Sequence, residues 1–260
     1  MSRTTFVTFG LGLLAGLALM PVYHSFQKPV AEAEKTAPIA TTAEPVAAAA
    51  TQAPVTSADA ARTPTQAAPK PLPEANVLKF AASFPDGGGF NWDGGTGTPE
   101  EIKFKGQKIL SKSKRGTYCC GFTFAVVMRA ATESGLLEGK SVEQIRAFQQ
   151  HWYAATPKSK EKQQIFALQW LGIGHEVPLL DAQPGDFIRL WHGSSGHSVI
   201  LLRWITENGK KIGLEYRGTQ GSTNGIGNRI EYLPGTPDHK HGDFDVKRTY
   251  AGRLNGTVVN

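Results

Sequence analysis

Apolar residues recur at helical spacing in three stretches in the middle of the chain. The first stretch covers residues 119–133 and the third covers about residues 161–171. The second stretch follows Ser141, which fits a capping box with Gln144. The apolar positions of the first two stretches are Phe122, Val126 and Ala130, and Val142, Ile145, Phe148 and Trp152. The pattern therefore predicts three amphipathic helices.

After the third helix the apolar pattern becomes typical of strands. Asn208-Gly209 is a strong hairpin signal between two of them. The predicted strands are residues 186–191, 197–204 and 211–217, with residues 229–233 and 248–253 as edge strands. Helices followed by a run of strands indicate an α+β fold in which the helices pack on an antiparallel sheet.

Residues 1–27 have the composition of a targeting segment. Arg3 precedes the apolar residues 6–20, as a charged region precedes the apolar part of a signal sequence. We expect an uncleaved signal-anchor with Arg3 on the cytoplasmic side, and a cleaved signal peptide is the alternative. Either segment predicts an extracytoplasmic protein, periplasmic or at the cell surface, that is held at the membrane or secreted.

Residues 28–75 are dominated by Ala, Pro and Thr and show little periodicity. Such a segment cannot bury enough apolar surface to offset its chain entropy, and its prolines favour extended conformations. The composition predicts a disordered linker that holds a folded domain, residues 76–260, away from the membrane. This domain opens with a glycine-rich stretch, which we interpret as a loop.

The net charge of +6 changes this picture only slightly. The charges within residues 1–75 balance, so the whole excess lies in residues 76–260. A basic domain suits an anionic partner such as a wall polymer or a lipid surface. Because the basic residues are dispersed, we expect a solvated basic face and no nucleic-acid partner.

The only two cysteines, Cys119 and Cys120, are adjacent at the start of the first predicted helix. The positive end of a helix dipole stabilises a thiolate, and the free N–H groups of the first turn can bind an oxyanion. Cys120 falls on the apolar face of the helix, which is typical of a core thiol, whereas Cys119 lies nearer the loop. Cys119 is therefore the candidate nucleophile, and an inert buried thiol is the alternative for both.

A cysteine nucleophile needs a base, and His197 is the best candidate because it opens an apolar strand after a glycine-serine loop. His192 is its local rival, while His151 and His175 have no evident partner. Residues 238–245 place two histidines beside aspartates, but no second ligand group matches them. We therefore expect neither a metal nor a cofactor.

Three motifs carry a family resemblance. Tyr-Cys-Cys-Gly-Phe at 118–122, Gln-Pro-Gly-Asp-Phe at 183–187 and Gly-His-Ser-Val-Ile-Leu-Leu at 196–202 resemble, in this order, motifs of the NlpC-like and CHAP-like cell-wall cysteine peptidases. The resemblance implies a papain-like fold that cleaves amide bonds, most often in peptidoglycan peptides. It also implies that Cys119 is the nucleophile. The chain departs from the family at Tyr118, where the family has Asp.

The group that orients the histidine is expected on the strand after the Asn-Gly turn, and these families accept an amide or a carboxylate there. If the turn has two residues, His197 faces Gln220. If it is a bulged three-residue turn, Glu215 moves to the face of His197. Gln220 is the first choice, Glu215 the second, and Asn224 in the following loop the third.

Three functions stay open at the level of the sequence. The first is a wall amidase or peptidase, the second a deamidase or transamidase on the same fold, and the third a non-catalytic module that binds the wall or a partner. The third gains weight if every histidine nitrogen lies more than ~6 Å from the Cys119 sulfur.

Overall fold

A computed structural model describes residues 76–93, 95–236 and 244–256. The predicted signal and linker segments, and the histidines at 239 and 241, lie outside these residues. None of the described helices is long and apolar enough to cross a membrane. The helices are α1 (Val77–Ala82), α2 (Cys119–Glu133), α3 (Val142–Trp152) and α4 (Gln164–Leu171). The strands are β1 (Gly87–Gly88), β2 (Ile102–Phe104), β3 (Gln107–Leu110), β4 (Gly174–Val177), β5 (Phe187–His192), β6 (Ser195–Glu207), β7 (Lys210–Gln220), β8 (Gly225–Tyr232) and β9 (Tyr250–Leu254).

The three predicted helices are present as α2, α3 and α4. The capping box of α3 is formed, since Ser141 Oγ accepts a hydrogen bond from the Gln144 N–H and Gln144 Oε1 accepts one from the Ser141 N–H. Helix α4 ends at Gly172, whose φ of 72° is left-handed. It begins at Gln164 rather than near residue 161, because Gln163 has a positive φ of 45° that is incompatible with the helix.

The predicted antiparallel sheet is also present, and the α+β class is confirmed. Seven strands follow the order β1-β8-β7-β6-β5-β9-β4, and all their pairings are antiparallel. The prediction of an edge strand at 248–253 is wrong, because β9 lies between β5 and β4. Strand β4 escaped prediction since its four residues, Gly-His-Glu-Val, lack an apolar alternation. Strand β8 is likewise not an edge, because β1 pairs with its outer side.

The part of the domain before α2 contains more structure than the predicted loop. It forms α1, the β2–β3 hairpin and the two-residue strand β1. These elements are two to six residues long, which is too short for a hydrophobic period to be recognised. After β1 the chain passes Phe90 and Trp92 and reaches the N-terminus of α2, so this segment forms one side of the candidate site.

The sheet separates two apolar clusters. Helix α2 packs against β6 and β7, and it shares the larger cluster with α1 and α3. The other face carries Leu190, Val199, Leu214 and Tyr216, which pack with Phe244. This arrangement brings the N-terminus of α2 to the ends of the central strands.

The β6–β7 hairpin has the two-residue turn that the Asn-Gly signal predicts, because Glu207 pairs with Lys210. Away from the turn there are two irregularities, one between Ile205 and Thr206 and one between Leu201 and Arg203, and they cancel. The Ile200–Arg217 pair consequently keeps the offset of the turn. Continued by three residues beyond this last pair, the offset would place His197 opposite Gln220.

Candidate active site

A cleft of about 540 Å³ opens where the N-terminus of α2 meets the ends of β5, β6, β7 and β8. Its lining includes Cys119, His197 and Gln220, the three residues that the sequence favours for the catalytic roles. They come from positions far apart in the chain, and only the packing of α2 on the sheet brings them together.

The start of α2 exposes Cys119 to the cleft. Tyr118 is the N-cap with an extended backbone, and no side chain caps the helix. The first N–H groups of a helix have no acceptor within the helix, so those of Cys119 and Cys120 are available to bind an anion. Gly121 lets the helix approach the preceding segment closely, since a Cβ there would lie 2.2 Å from the Gly97 carbonyl carbon.

Cys119 is partly exposed, and its surroundings favour the thiolate. A hydrogen bond from Cys120 is the largest of the effects that hold the pKa of Cys119 well below its usual range. Burial opposes them, whereas the hydrogen bond and charge of His197 and the backbone N–H of Ser198 act in the same direction as Cys120. His197 is therefore near enough to Cys119 to influence its pKa, and both side chains line the cleft.

Cys120 has the opposite character. It is buried in the larger apolar cluster, as the helical face predicts. The interaction with Cys119, followed by burial, raises its pKa well above the usual range. Of the two thiols, Cys119 is therefore the one that ionises more easily, and Cys120 is the one that keeps its proton.

His197 is held in place mainly by packing. Its ring makes an edge contact with Tyr216, with centroids 5.7 Å apart. Its Nε2 atom is buried and has no hydrogen-bond partner among the described residues. This atom lies beside Gly218, where a Cβ would be 3.4 Å from Nε2 and 3.3 Å from Gln220 Oε1. His197 and Gln220 are accordingly neighbours on one face of the sheet.

The three candidates for the orienting group fall in different places. Gln220 lines the cleft, and both polar atoms of its buried amide lack a hydrogen-bond partner in the described part of the chain. Glu215 is bound instead to Arg203, which donates from Nε over 2.6 Å, and it does not line the cleft. Asn224 lies exposed in the loop after β7. Of the three, only Gln220 lines the cleft together with His197.

A second histidine in the cleft is paired with a buried carboxylate. His192 Nε2 lies 2.9 Å from Glu231 Oε2, and the Tyr216 hydroxyl donates to Glu231 Oε1 over 2.7 Å. Burial acts to raise the pKa of Glu231, but His192, Tyr216 and Arg229 together outweigh it and lower the pKa. The sequence indicated His192 only as a rival base and gave no sign of Glu231. His192 lies on β5 and Glu231 on β8, and these two strands come near each other only in the folded sheet.

Two other histidines in the described ranges, His151 and His175, lie outside the cleft. His151 packs between Phe166 and Trp170, with ring centroids 5.0 and 4.7 Å away. His175 contacts Asn255 at the end of the domain opposite β1. Within the ranges that the structure describes, no three His, Cys, Asp or Glu side chains are grouped as metal ligands.

Aromatic residues form the mouth of the cleft. Phe90 and Trp92 are 38% and 59% exposed, and Tyr118 lies between them and the nucleophile. Exposed aromatic rings beside a polar centre are suited to bind the apolar or sugar part of a ligand. Of the five tryptophans, Trp152 is instead wholly buried in the core.

The arrangement can carry out nucleophilic catalysis, because a stabilised thiolate, an imidazole and free helix N–H groups meet in one cleft. Comparison of the chain with known protein families, curated proteins and solved structures finds no match.

Proposed function

We propose that the protein is an extracytoplasmic cysteine hydrolase that cleaves amide bonds, with peptidoglycan peptides as substrates. The observation that carries this proposal is that Cys119, at a helix N-terminus, and His197 line one cleft, in surroundings that lower the pKa of Cys119. Buried thiols with a purely structural role have no need of such an environment.

A papain-like arrangement accompanies this proposal. In that arrangement a nucleophile on a helix N-terminus faces a histidine on an antiparallel sheet. The order of elements here is compatible with it, since α2 precedes β5, β6 and β7 and packs on β6 and β7. The three sequence motifs fall on the start of α2, the start of β5 and the start of β6.

The proposed reaction begins with attack of the Cys119 thiolate on the substrate carbonyl carbon. The carbon–sulfur bond forms, and the carbonyl electron pair moves to the oxygen, which the N–H groups of Cys119 and Cys120 bind. The carbon–nitrogen bond then breaks, and the His197 imidazolium gives its proton to the leaving amine. Water attacks the thioester while His197 takes one of its protons, and Cys119 leaves as a thiolate.

The substrate class rests on three supports. The resemblance of the motifs points to wall peptides, and the predicted signal segment would deliver the domain to the wall. The mouth of the cleft combines aromatic rings with Arg229, which suits a peptide that bears a carboxylate next to a sugar. A membrane attachment through residues 1–27 belongs to the same proposal.

Digestion of purified peptidoglycan followed by mass spectrometry tests the proposal. The full chain should release fragments with a new amine and a new carboxylate. Cys119→Ala and His197→Ala should each lower the rate by about a thousandfold or more. His151→Ala is the matched control, because His151 lies outside the cleft, and it should retain activity.

Three outcomes would contradict the proposal in different ways. Full digestion by the Cys119→Ala variant would show that Cys119 is not the nucleophile. Binding to the wall polymer without any product would assign a binding module. Incorporation of an added primary amine in place of water would assign a transamidase.

A further inference from the structure

A buried arginine lies behind the two cysteines. Arg189 on β5 is only 6% exposed, and in the described part of the chain no carboxylate lies within 4.0 Å of it. Its Nε atom has no hydrogen-bond partner there. Its guanidinium stacks on Trp191, with 4.5 Å to the ring centroid. Because an unpaired buried cation is costly, the surroundings of Arg189 must offer it negative charge or strong acceptors.

The fold makes room for this arginine. A Cβ at Gly196 would lie 1.9 Å from Arg189 Nη2, so a side chain at this position would displace the guanidinium from its present place. Gly196 immediately precedes His197, and the position of the arginine is therefore tied to the strand that carries the base.

A chain of buried hydrogen bonds leads from Arg189 to the nucleophile. Arg189 Nη1 donates to Ser198 Oγ over 3.5 Å, and Ser198 Oγ donates to Gln163 Oε1 over 2.9 Å. Gln163 Nε2 donates to Cys120 Sγ over 2.9 Å, and the two cysteine sulfurs are 3.9 Å apart. Ser198, Gln163 and Cys120 are all less than 9% exposed. Each group in this order donates toward Cys119.

Gln163, which links Ser198 to Cys120 in this series of hydrogen bonds, has a strained backbone. Its φ of 45° and ψ of −106° are unusual for a residue other than glycine, and it is 2% exposed. Such conformations persist only where the surroundings enforce them, and they cluster at functional sites. The neighbouring Gln164 is fixed by donation to the Ile188 carbonyl, and its Oε1 is a second acceptor for Ser198.

We propose that Cys120 is a positioning residue whose S–H donates to the Cys119 thiolate. This inference rests on the proposed role of Cys119 as the nucleophile. The chain from Arg189 through Ser198 and Gln163 holds Cys120 in that role. Gln163 occupies a lone pair of the Cys120 sulfur, and the S–H has Cys119 Sγ and Ser198 Oγ as acceptors, each 3.9 Å away. A thiolate at Cys119 is the stronger acceptor of the two because it is charged. The positive charge of Arg189 favours the anionic form of the cysteine pair.

The opposite pKa directions of the two cysteines agree with this assignment. Cys120 is the largest influence that lowers the pKa of Cys119, ahead of His197. The thiolate should therefore be stabilised by two separate devices, the buried chain on one side and the imidazole on the other. His197→Ala should then retain part of the reactivity of Cys119 at low pH although it loses catalysis.

The test is the pH dependence of iodoacetamide labelling of Cys119 in the full chain, located by mass spectrometry. Wild type should label with a midpoint well below the ordinary value of about 8.5. Cys120→Ala should slow labelling at pH 6 by about tenfold or more, since hydrogen bonds to charged groups are strong. Cys120→Ser, which keeps a donor, should restore most of the rate.

Arg189→Met tests the end of the hydrogen-bond series that is farthest from Cys119, and it should also raise the labelling midpoint. Arg203→Met is its matched control, because it removes an exposed arginine of the next strand, which pairs with Glu215. It should leave the midpoint unchanged. Thermal unfolding of each variant distinguishes a loss of the fold from a change in the titration of Cys119. Cys120→Ala removes a single sulfur atom from the core, so we expect this variant to fold.

An unchanged midpoint in Cys120→Ala would overturn the inference. Equal shifts of the midpoint in Arg203→Met and Arg189→Met would show a general effect of net charge on the thiol. That result would also overturn the inference. If the midpoints shift as expected but no amide substrate is cleaved, the proposed function fails while the donor chain stands.

Discussion

Cys119 and Cys120 are neighbours with the same side chain, yet the structure gives them opposite chemistry. Cys119 faces the cleft and its pKa is lowered, whereas Cys120 faces the core and its pKa is raised. The helical face alone predicts which thiol is buried. The direction of each pKa depends on the contact between the two thiols and on burial, and His197 and Ser198 on β6 lower the pKa of Cys119 further.

Gln220 and Glu215 provide a matched pair of variants at the residue scale. We expect Gln220→Ala to lower kcat by about tenfold to a hundredfold, because the buried amide beside His197 would no longer orient the imidazole. Glu215→Ala should have little effect on kcat, since Glu215 pairs with Arg203 away from the cleft. Steady-state kinetics on a wall peptide would measure both. Equal losses in the two variants would contradict the role of Gln220.

Glu231 should make stability depend on pH. Its folded-state pKa is lowered despite burial, so its contribution is fully present above the unfolded pKa of about 4.3 and is lost as pH falls through the lower folded pKa. We expect the melting temperature of wild type to fall more steeply below pH 5 than that of Glu231→Gln. Thermal unfolding between pH 3 and 7 measures the difference. Parallel curves would contradict the prediction.

At the scale of elements, the site depends on how closely α2 approaches the segment before it. Gly121 lies against the backbone of Gly97 and Thr98, and the Tyr118 ring lies over Gly97. The position of Cys119 is therefore fixed by backbone contact rather than by a side-chain cap. The close approach of this backbone thus favours glycine at the third position of the Cys-Cys-Gly motif, a requirement that the sequence did not reveal.

Gly121→Ala should disturb this contact. Its new Cβ would lie 2.2 Å from backbone that cannot move without shifting the N-terminus of α2. We expect a loss of about 1–3 kcal/mol in the free energy of unfolding, together with slower labelling of Cys119. Denaturant titration and labelling measure the two effects. Thr132→Ala, at an exposed position of the same helix, should change stability by less than about 1 kcal/mol. A neutral Gly121→Ala would contradict the contact.

At the scale of the whole molecule, an ion pair joins two regions 67 residues apart. Asp186 is fully buried at the start of β5, and Arg253 on β9 donates to both of its oxygens over 2.8 Å. Asp186 also accepts from the Gln183 N–H. The Pro-Gly-Asp motif therefore fixes β9 beside β5, and its aspartate has a structural role.

Removal of this carboxylate should destabilise the whole domain. We expect Asp186→Ala to lower the free energy of unfolding by about 3–5 kcal/mol, because it leaves Arg253 without its partner in a largely buried place. Asp181→Ala is the matched control, since Arg253 contacts only its backbone carbonyl. Chemical denaturation measures both variants. A loss below about 1 kcal/mol in Asp186→Ala would show that β9 is held by other contacts.

The sequence by itself determined the features that depend on neighbours in the chain. Helical spacing identified α2, α3 and α4, and the Asn-Gly turn set the register that brings Gln220 to His197. These features are local because periodicity, capping and turn geometry act over a few residues. The choice of Cys119 over Cys120 followed from the same periodicity.

Only the tertiary structure decided which distant residues surround the cysteines. The position of β9 inside the sheet, the Glu231–His192 pair and the donor chain from Arg189 all join residues from separate elements. A buried cation or carboxylate leaves no local pattern, because its partners are brought near only when strands pair and α2 packs on them. The chemistry of the site therefore depends on packing, even though its nucleophile and base can be selected from the sequence.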